Sequence, residues 1–295
     1  MHRPTALSIA LGVSLATAAI VGSAPAATDA VKKTADIEYA SVDGRALRLD
    51  LYQPEGVANA PLLVWVHGGA WEAGSKSPLP ATALVERGYA IASLDFRPAS
   101  AAPFPGQVYD IKAAIRFLRA TAASHGYDAR RVAILGASSG AHLAAVVATT
   151  NGHPELEGTL GEHGNESSAV QALVSYFGAS NLTTILAQST PFGVGIRTPA
   201  LKRLLGALPE ENEALARLAS PVFHVDPSDP PLLLLHGDQD PQMPINQSHE
   251  LQGAYERQGL TAGFIVVHGA AHGGDEFFAP NNVERVAAFL DLHLR

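Results

Sequence analysis

Short apolar runs alternate with longer stretches of helical length along most of the chain. Six largely apolar runs predict buried strands, at 62–66, 90–94, 132–135, 172–176, 232–235 and 264–267. The stretches between them predict helices at 107–124, 141–149, 245–258 and 282–293. Buried strands that alternate with helices are typical of an α/β fold with a mostly parallel sheet covered by helices on both faces. In such a sheet, functional side chains lie in loops at the carboxyl ends of the strands.

Two further features complete the predicted architecture. Residues 36–39 and 45–52 alternate between apolar and polar types around Asp43-Gly44, a dipeptide that favours a tight hairpin turn. This hairpin extends one edge and gives a sheet of about eight strands. The interval 183–229 is long for a simple connection between strands, and its apolar clusters predict a small helical lid inserted into the domain.

The first 26 residues differ in character from the rest of the chain. Residues 6–22 are apolar and nearly uncharged, a length marginal for a membrane span of about twenty residues. Ala24-Pro25-Ala26 fits the cleavage pattern of secretory signals. We expect residues 1–26 to be a signal peptide, with an uncleaved anchor as the alternative, and residues 27–295 to form the catalytic domain. The protein is then expected to be secreted or periplasmic.

Composition narrows the classes of partner and chemistry. The 295 residues include 28 acidic and 20 basic side chains, for a formal net charge of −8, without a long Lys/Arg run. This balance argues against nucleic acid, and against an anionic membrane surface after signal cleavage, as binding partners. The chain has no Cys, which excludes thiol catalysis, disulfides and Cys-ligated metal sites.

A candidate nucleophile follows the predicted strand 132–135. Residues 136–140 read Gly-Ala-Ser-Ser-Gly and lead into the predicted helix 141–149. The pattern G-x-S-x-G between a strand and a helix predicts a sharp turn that exposes a catalytic serine, here Ser138. A lone G-x-S-x-G is a weak signal, and its position at the end of a buried strand is what strengthens it.

A glycine-rich loop follows the predicted strand 62–66. Residues 67–71 read His-Gly-Gly-Ala-Trp. Such a loop can aim backbone N–H groups at one point, so we predict an oxyanion hole formed by the N–H groups of Gly69, Ala70 and Ser139. We expect His67 to shape the loop. Trp71 is predicted to form a wall of the substrate pocket, with buried packing as the alternative.

An acid and a histidine follow the last two predicted strands. Asp238 and Asp240 come after 232–235, and His272 comes after 264–267. A serine hydroxyl needs an imidazole to take its proton, and the imidazole needs a carboxylate to orient it. Because the chain first turns at Gly237, Asp240 has more freedom to reach His272, and we expect Asp238 to brace the loop. The predicted catalytic residues are therefore Ser138, Asp240 and His272.

Taken together, these loops resemble those of the α/β-hydrolase superfamily. Within it, the chain resembles secreted esterases of the feruloyl and acetyl-xylan type, near the hormone-sensitive-lipase group; residues 95–98 (Asp-Phe-Arg-Pro) and 219–221 (Ala-Ser-Pro) also match that type. The resemblance covers about residue 42 to the C-terminus, and it too favours Asp240 as the acid. Ser139 and Ala141 depart from it, since relatives often have Ala and Gly there.

The resemblance implies a serine esterase of short acyl esters, either small molecules or acetyl and feruloyl groups on plant polysaccharide. It implies no cofactor and no metal, because the triad and the oxyanion hole supply the chemistry. The alternatives are a lipase-like esterase of longer acyl chains, a serine exopeptidase of the same fold and a non-catalytic binding protein. The oligomeric state stays open.

Overall fold

The computed structural model describes residues 31–295, so the predicted signal peptide lies outside the described part of the chain. Within this part, eight strands form one sheet: β1 (Val31–Val42), β2 (Arg45–Pro54), β3 (Ala60–Val66), β4 (Ala90–Leu94), β5 (Tyr127–Ala137), β6 (Ala172–Tyr176), β7 (Leu232–Gly237) and β8 (Ala262–Val267). The α-helices of this part are α1 (Thr82–Glu86), α2 (Gly106–His125), α3 (Ser139–Ala148), α4 (Ile185–Gln188), α5 (Pro191–Leu205), α6 (Glu213–Leu218), α7 (Asn246–Arg257) and α8 (Pro280–Leu294).

The sheet has the strand order β1-β2-β4-β3-β5-β6-β7-β8. Strands β3 to β8 pair in parallel, and the pairs β1–β2 and β2–β4 are antiparallel. All six predicted apolar runs lie within β3 to β8, and every residue of β3, β4, β6 and β7 is buried. Strands covered on both faces carry apolar residues at nearly every position, which is why they form almost continuous apolar runs in the sequence. The predicted fold class is confirmed.

The predicted hairpin forms at the edge of the sheet. Strands β1 and β2 pair up to Val42 and Arg45, and the two residues between them, Asp43 and Gly44, have φ of 50° and 77°. Two consecutive positive φ values match the right-handed twist of the flanking strands, and Asp-Gly adopts them at low cost. The pattern of the dipeptide therefore predicted this turn correctly.

Strand β5 begins at Tyr127, five residues earlier than predicted. Its first residues are polar, and Asp128 forms ion pairs with Arg130 (3.0 Å) and Arg131 (2.9 Å). The pairing of β3 with β5 shifts register between Pro61 and Leu62, where the polar part of β5 gives way to the apolar part. A pattern of apolar residues cannot detect the start of a strand when the side chains there are charged and form ion pairs with one another.

Two apolar cores cover the two faces of the sheet. Because side chains alternate along a strand, Leu62 and Val64 join the core that contains residues of α2 and α3. Leu63 and Trp65 join the core that contains residues of α1 and α8. The carboxyl ends of the parallel strands are thereby held rigidly at one edge between the helix layers.

The interval predicted as a helical lid contains three helices, α4, α5 and α6. Helix α5 begins with a proline, and the Thr190 hydroxyl accepts a hydrogen bond from the Gly193 N–H (3.0 Å) at its N-terminus. The same hydroxyl donates to the carbonyl of Pro241 (2.8 Å), which ties α5 to the loop after β7. No helix within residues 31–295 is long and apolar enough to cross a membrane.

Candidate active site

Ser138 forms the tight turn between strand β5 and helix α3. Its backbone adopts φ 55° and ψ −122°, a strained conformation for a residue with a side chain. Its N–H donates to the Tyr176 carbonyl (2.9 Å), and its carbonyl accepts from the His142 N–H (3.1 Å). The turn is therefore held from both sides, and Ser138 lines a cavity at the carboxyl edge of the sheet.

The glycines of this turn are required by close backbone approach. A Cβ atom on Gly136 would lie 2.5 Å from the carbonyl oxygen of Gly140. One on Gly140 would lie 2.2 Å from the carbonyl oxygens of Val66 and His67. A larger residue at either position would push helix α3 away from strands β3 and β5. The G-x-S-x-G spacing thus has a steric cause in this structure.

Side chains from three loops meet at the Ser138 hydroxyl. The Ser138 Oγ lies 2.8 Å from Nε2 of His272, and Nδ1 of His272 lies 2.7 Å from Oδ2 of Asp240. With the Nδ1 proton donated to the carboxylate, Nε2 is left to accept the hydroxyl proton. The structure therefore brings together the three predicted residues in the geometry that proton transfer from a serine requires.

The Asp240 carboxylate is surrounded by hydrogen-bond donors. Its Oδ1 accepts from the backbone N–H groups of Gln242 and Met243, each at 2.8 Å. Nε2 of the fully buried His236 lies 3.4 Å from its Oδ2. Burial by itself raises the pKa of Asp240, but hydrogen bonds from His236, His272 and Met243 outweigh burial and hold that pKa below its usual range. The carboxylate is therefore ionised at neutral pH.

Asp238, the other acid of this loop, pairs with a different histidine. Its Oδ2 lies 2.8 Å from Nδ1 of His268, and its Oδ1 accepts from the Gly269 N–H (2.8 Å). It thus links the loops after β7 and β8, in the bracing position expected from the sequence.

The predicted oxyanion loop has an unusual backbone. Gly69 and Ala70 have φ of 125° and 54°, and a Cβ on Gly69 would lie 2.1 Å from the Ala73 carbonyl oxygen. Both residues line the cavity at Ser138, and neither N–H donates to any residue of the described range 31–295. Ser139 is the first residue of α3, where the N–H has no acceptor within the helix. Among residues 31–295, none of the three predicted N–H groups therefore has an acceptor: Gly69 and Ala70 line the Ser138 cavity, and Ser139 follows Ser138 in the sequence.

Two side chains of the same loop are packed away from this cavity. Trp71 is buried and donates from its indole N–H to Nδ1 of His142 (3.0 Å), while Nε2 of His142 lies 2.6 Å from the Ala219 carbonyl. The assignment of Trp71 to the pocket wall is therefore corrected: positive φ at Ala70 and Trp71 turns the indole into the core. His67 stacks on Phe96 at 4.3 Å, and burial lowers its pKa.

The cavity at Ser138 has a volume of about 300 Å³. Its walls combine the two glycine-bearing loops with residues of helix α5: Gly68, Gly69, Ala70, Ala137, Ser138, Phe177, Ile196, Arg197, Gln242 and His272. A larger cavity of about 980 Å³ lies between α2 and the loop 154–161, and it is not lined by Ser138, Asp240 or His272. Within residues 31–295, no group of three or more His, Asp and Glu side chains is arranged to hold a metal ion.

The sequence reasoning missed several residues of this site, among them His236, Arg197 and Ile196. His236 is the second-last residue of strand β7, just before the acidic loop, and its position near a strand end was the available signal. Arg197 and Ile196 lie in helix α5 of the insertion, where the sequence carries no motif. Only the folded chain brings this helix to the Ser138 cavity.

The sequence matches one family model, and the similar sequences reported below are named as esterases. The family model BD-FAE matches residues 49–255. The chain is 31% identical over 253 residues to esterase LipQ of Mycobacterium tuberculosis, covering 82% of this chain and 58% of that protein. It is 28% identical to the isoprenylcysteine alpha-carbonyl methylesterase ICME of Arabidopsis thaliana, covering 76% and 54%. The chain thus spans between half and three fifths of the length of these two relatives.

Solved structures of similar fold are also esterases. A truncated form of a carbohydrate esterase from gut microbiota superposes with a TM-score of 0.79 at 30% identity, covering 89% of this chain and 96% of that one. The propionate-bound esterase Est2 of Thermogutta terrifontis superposes with a TM-score of 0.71 at 25% identity, covering 92% and 96%.

Proposed function

Because the chain belongs to the BD-FAE family of α/β-hydrolases, we propose that it is a serine carboxylesterase that hydrolyses short acyl esters through an acyl-enzyme. The observation that carries this proposal is the continuous hydrogen-bonded series from Ser138 through His272 to Asp240, with separations of 2.8 and 2.7 Å. The esterase names of its sequence relatives and structural neighbours support the same activity.

In the first step, the Ser138 Oγ attacks the ester carbonyl carbon while its proton passes to Nε2 of His272. The ionised Asp240 stabilises the imidazolium that forms. The carbonyl oxygen becomes an oxyanion, which accepts hydrogen bonds from the unused N–H groups of Gly69, Ala70 and Ser139. Donors fixed in place before the reaction stabilise this charge without reorganisation.

In the second step, His272 donates its proton to the leaving alkoxide, and the carbon–oxygen bond to the alcohol breaks. The acyl group remains as an ester on Ser138. Water then repeats the sequence: His272 takes one of its protons, the hydroxide attacks, and Ser138 leaves with the proton returned by His272. Acid and free serine are the products.

The size of the cavity supports acetyl to butyryl groups as the acyl part. About 300 Å³ is at the lower end of the range for ligand pockets. The carbohydrate esterase among the structural neighbours supports acetyl or feruloyl groups on plant polysaccharide as the natural esters. Kinetics across acetyl, butyryl, octanoyl and feruloyl esters test this part, and a maximum at octanoyl would instead identify a lipase-like esterase.

Replacement of the nucleophile tests the activity itself. Ser138→Ala should lower kcat on 4-nitrophenyl acetate on the order of 10³-fold or more, with an unchanged melting temperature. A fluorophosphonate should label Ser138 in the wild-type protein. Ser124→Ala, an exposed serine near the end of α2, is the matched control. Full activity of Ser138→Ala, or a label that maps to Ser139, would contradict the mechanism.

Export belongs to the same proposal. We infer from residues 1–26 that the enzyme acts outside the cytoplasm, where polymeric esters are accessible. Mass spectrometry of the protein from its native host should give an N-terminus at Ala27. A protein that retains Met1 would contradict cleavage.

A further inference from the structure

We propose that Arg197 binds a carboxylate group carried by the ester substrate, so that the enzyme prefers esters with a negative charge a few bonds from the scissile carbonyl. This inference rests on the proposed esterase function. It concerns the same cavity but a residue that is not part of the Ser138–His272–Asp240 triad.

Arg197 is a buried cation in the wall of the Ser138 cavity. The residue is 1% exposed, lies on helix α5 and lines the cavity together with Ser138 and His272. Its Nε donates to the carbonyl of Gln242 (3.2 Å). Its Nη2 is buried and has no hydrogen-bond partner in the part of the chain that the structure describes. Arg197 thus places a cation with an unused donor in the wall of the cavity.

Arg197 also lacks a carboxylate partner. Between residues 31 and 295, no Asp or Glu oxygen lies within 4.0 Å of its guanidinium nitrogens. The comparable buried Arg116 pairs with Glu157 at 2.9 Å, and Arg97 pairs with the buried Asp110 at 2.6 Å. Of the two fully buried arginines among residues 31–295, Arg116 is therefore neutralised by an acid and Arg197 is not.

The catalytic carboxylate does not fill this role. Asp240 accepts hydrogen bonds on Oδ1 from two backbone N–H groups and on Oδ2 from His272, with His236 at 3.4 Å. Its oxygens are satisfied without Arg197. Burial lowers the pKa of Arg197 to about 10, against the opposing attraction of Asp240, so the side chain remains a cation at neutral pH. A positive charge in the cavity is therefore left for a ligand.

A substrate carboxylate fits this group best. A buried donor without an acceptor destabilises the free site, and a carboxylate that enters with the substrate removes this penalty. The planar guanidinium binds carboxylate oxygens with strong, charge-assisted hydrogen bonds. Because the cavity holds about 300 Å³, the carboxylate and the scissile ester must be close in one small molecule or one sugar unit.

Two kinds of ester satisfy this chemistry. The carboxylate belongs to the acyl part in a monoester of a dicarboxylic acid, and to the alcohol part in an acetylated hydroxy acid such as a uronic acid. Two matched substrate pairs distinguish them. Monoethyl succinate is compared with ethyl succinamate for the acyl side, and O-acetylglycolate with O-acetylglycolamide for the alcohol side. Within each pair a carboxylate is replaced by a neutral amide of nearly the same size and shape.

The wild-type enzyme should hydrolyse the anionic member of one pair with a kcat/KM about tenfold higher than its neutral amide, mainly through a lower KM. Arg197→Gln should lower that ratio about tenfold, and Arg197→Lys should retain part of it. Arg203→Gln removes a half-exposed arginine from the same helix and should leave the ratio unchanged.

Two results would overturn the proposal: preference for the neutral member in both pairs, or an equal loss on both members in Arg197→Gln. If the Arg197 variants do not fold, the proposal is tested by competitive inhibition of the wild-type protein. Succinate should then compete with ethyl acetate more strongly than succinamide does at equal ionic strength, and equal inhibition would refute the site. Failure of the wild-type protein to hydrolyse ethyl acetate would instead refute the proposed function.

Discussion

The loops after β7 and β8 carry two Asp–His pairs with nearly equal separations and very different surroundings. Asp240 and His272 lie 2.7 Å apart, with side chains 1% and 12% exposed. Asp238 and His268 lie 2.8 Å apart, with side chains 32% and 84% exposed. The two acids are two positions apart in the sequence, and the two histidines are four positions apart.

An Asp–His distance does not by itself distinguish the proposed catalytic pair from a surface pair. Water screens the exposed pair, and such pairs contribute little to stability. The buried pair has a lower local dielectric, further donors on Asp240, and Ser138 as a third partner on Nε2 of His272. Burial and the third partner distinguish the two pairs.

The sharpest test exchanges each acid for its amide. Asp240→Asn should lower kcat on 4-nitrophenyl acetate on the order of 10⁴-fold, because an amide no longer fixes the His272 tautomer or stabilises its charge. Asp238→Asn is the matched control in the same loop and should change kcat by less than about twofold. A comparable loss in Asp238→Asn would reverse the roles assigned to the two pairs.

His142 is a third kind of histidine in this protein: it is fully buried, and its Nδ1 accepts a hydrogen bond from the indole N–H of Trp71. Burial lowers its pKa from 6.5 to about 4, so the unfolded chain binds its proton before the folded chain does. Stability should therefore fall as the pH decreases from about 6.5 to about 4, by about 3 kcal/mol for this group. Urea unfolding across that range measures the slope, which His142→Gln should reduce. A slope in His142→Gln equal to that of the wild-type protein would contradict the assignment.

His236 tests how much the donors behind Asp240 matter. Its Nδ1 lies 2.7 Å from the Ser248 Oγ, and its Nε2 lies between the Met243 carbonyl (3.0 Å) and Oδ2 of Asp240 (3.4 Å). His236→Gln should lower kcat about tenfold with little change in KM, because it loosens the acid and not the substrate site. A raised KM with unchanged kcat would show that His236 acts elsewhere.

The smallest effect is expected at the exposed pair. A double-mutant cycle of Asp238→Ala and His268→Ala should give a weak coupling in urea unfolding, and high salt should weaken it further because water and ions screen both charges. A coupling that is strong and independent of salt would mean that exposure does not separate the two pairs.

The sheet and the order of the site residues followed from local pattern. Strands β3, β4, β6 and β7 are buried along their whole length, so nearly all of their residues are apolar and the strands are visible in the sequence. The turn at Ser138 was recognisable because close backbone contacts at Gly136 and Gly140 leave room only for glycine. Loops at the carboxyl ends of parallel strands share one edge of the sheet, so Ser138, Asp240 and His272 were expected to meet.

Other features were decided by contacts between distant segments. The indole of Trp71 packs in the core, where it donates a hydrogen bond to His142, 71 residues further along the chain. The local sequence around Trp71 does not indicate whether its side chain faces the core or the cavity. Arg197 and the Ser138 cavity come together only when helix α5 binds the loop after β7. Side-chain burial and charge pairing depend on which segments become neighbours in space, and hydrophobic patterning along one segment does not encode that choice.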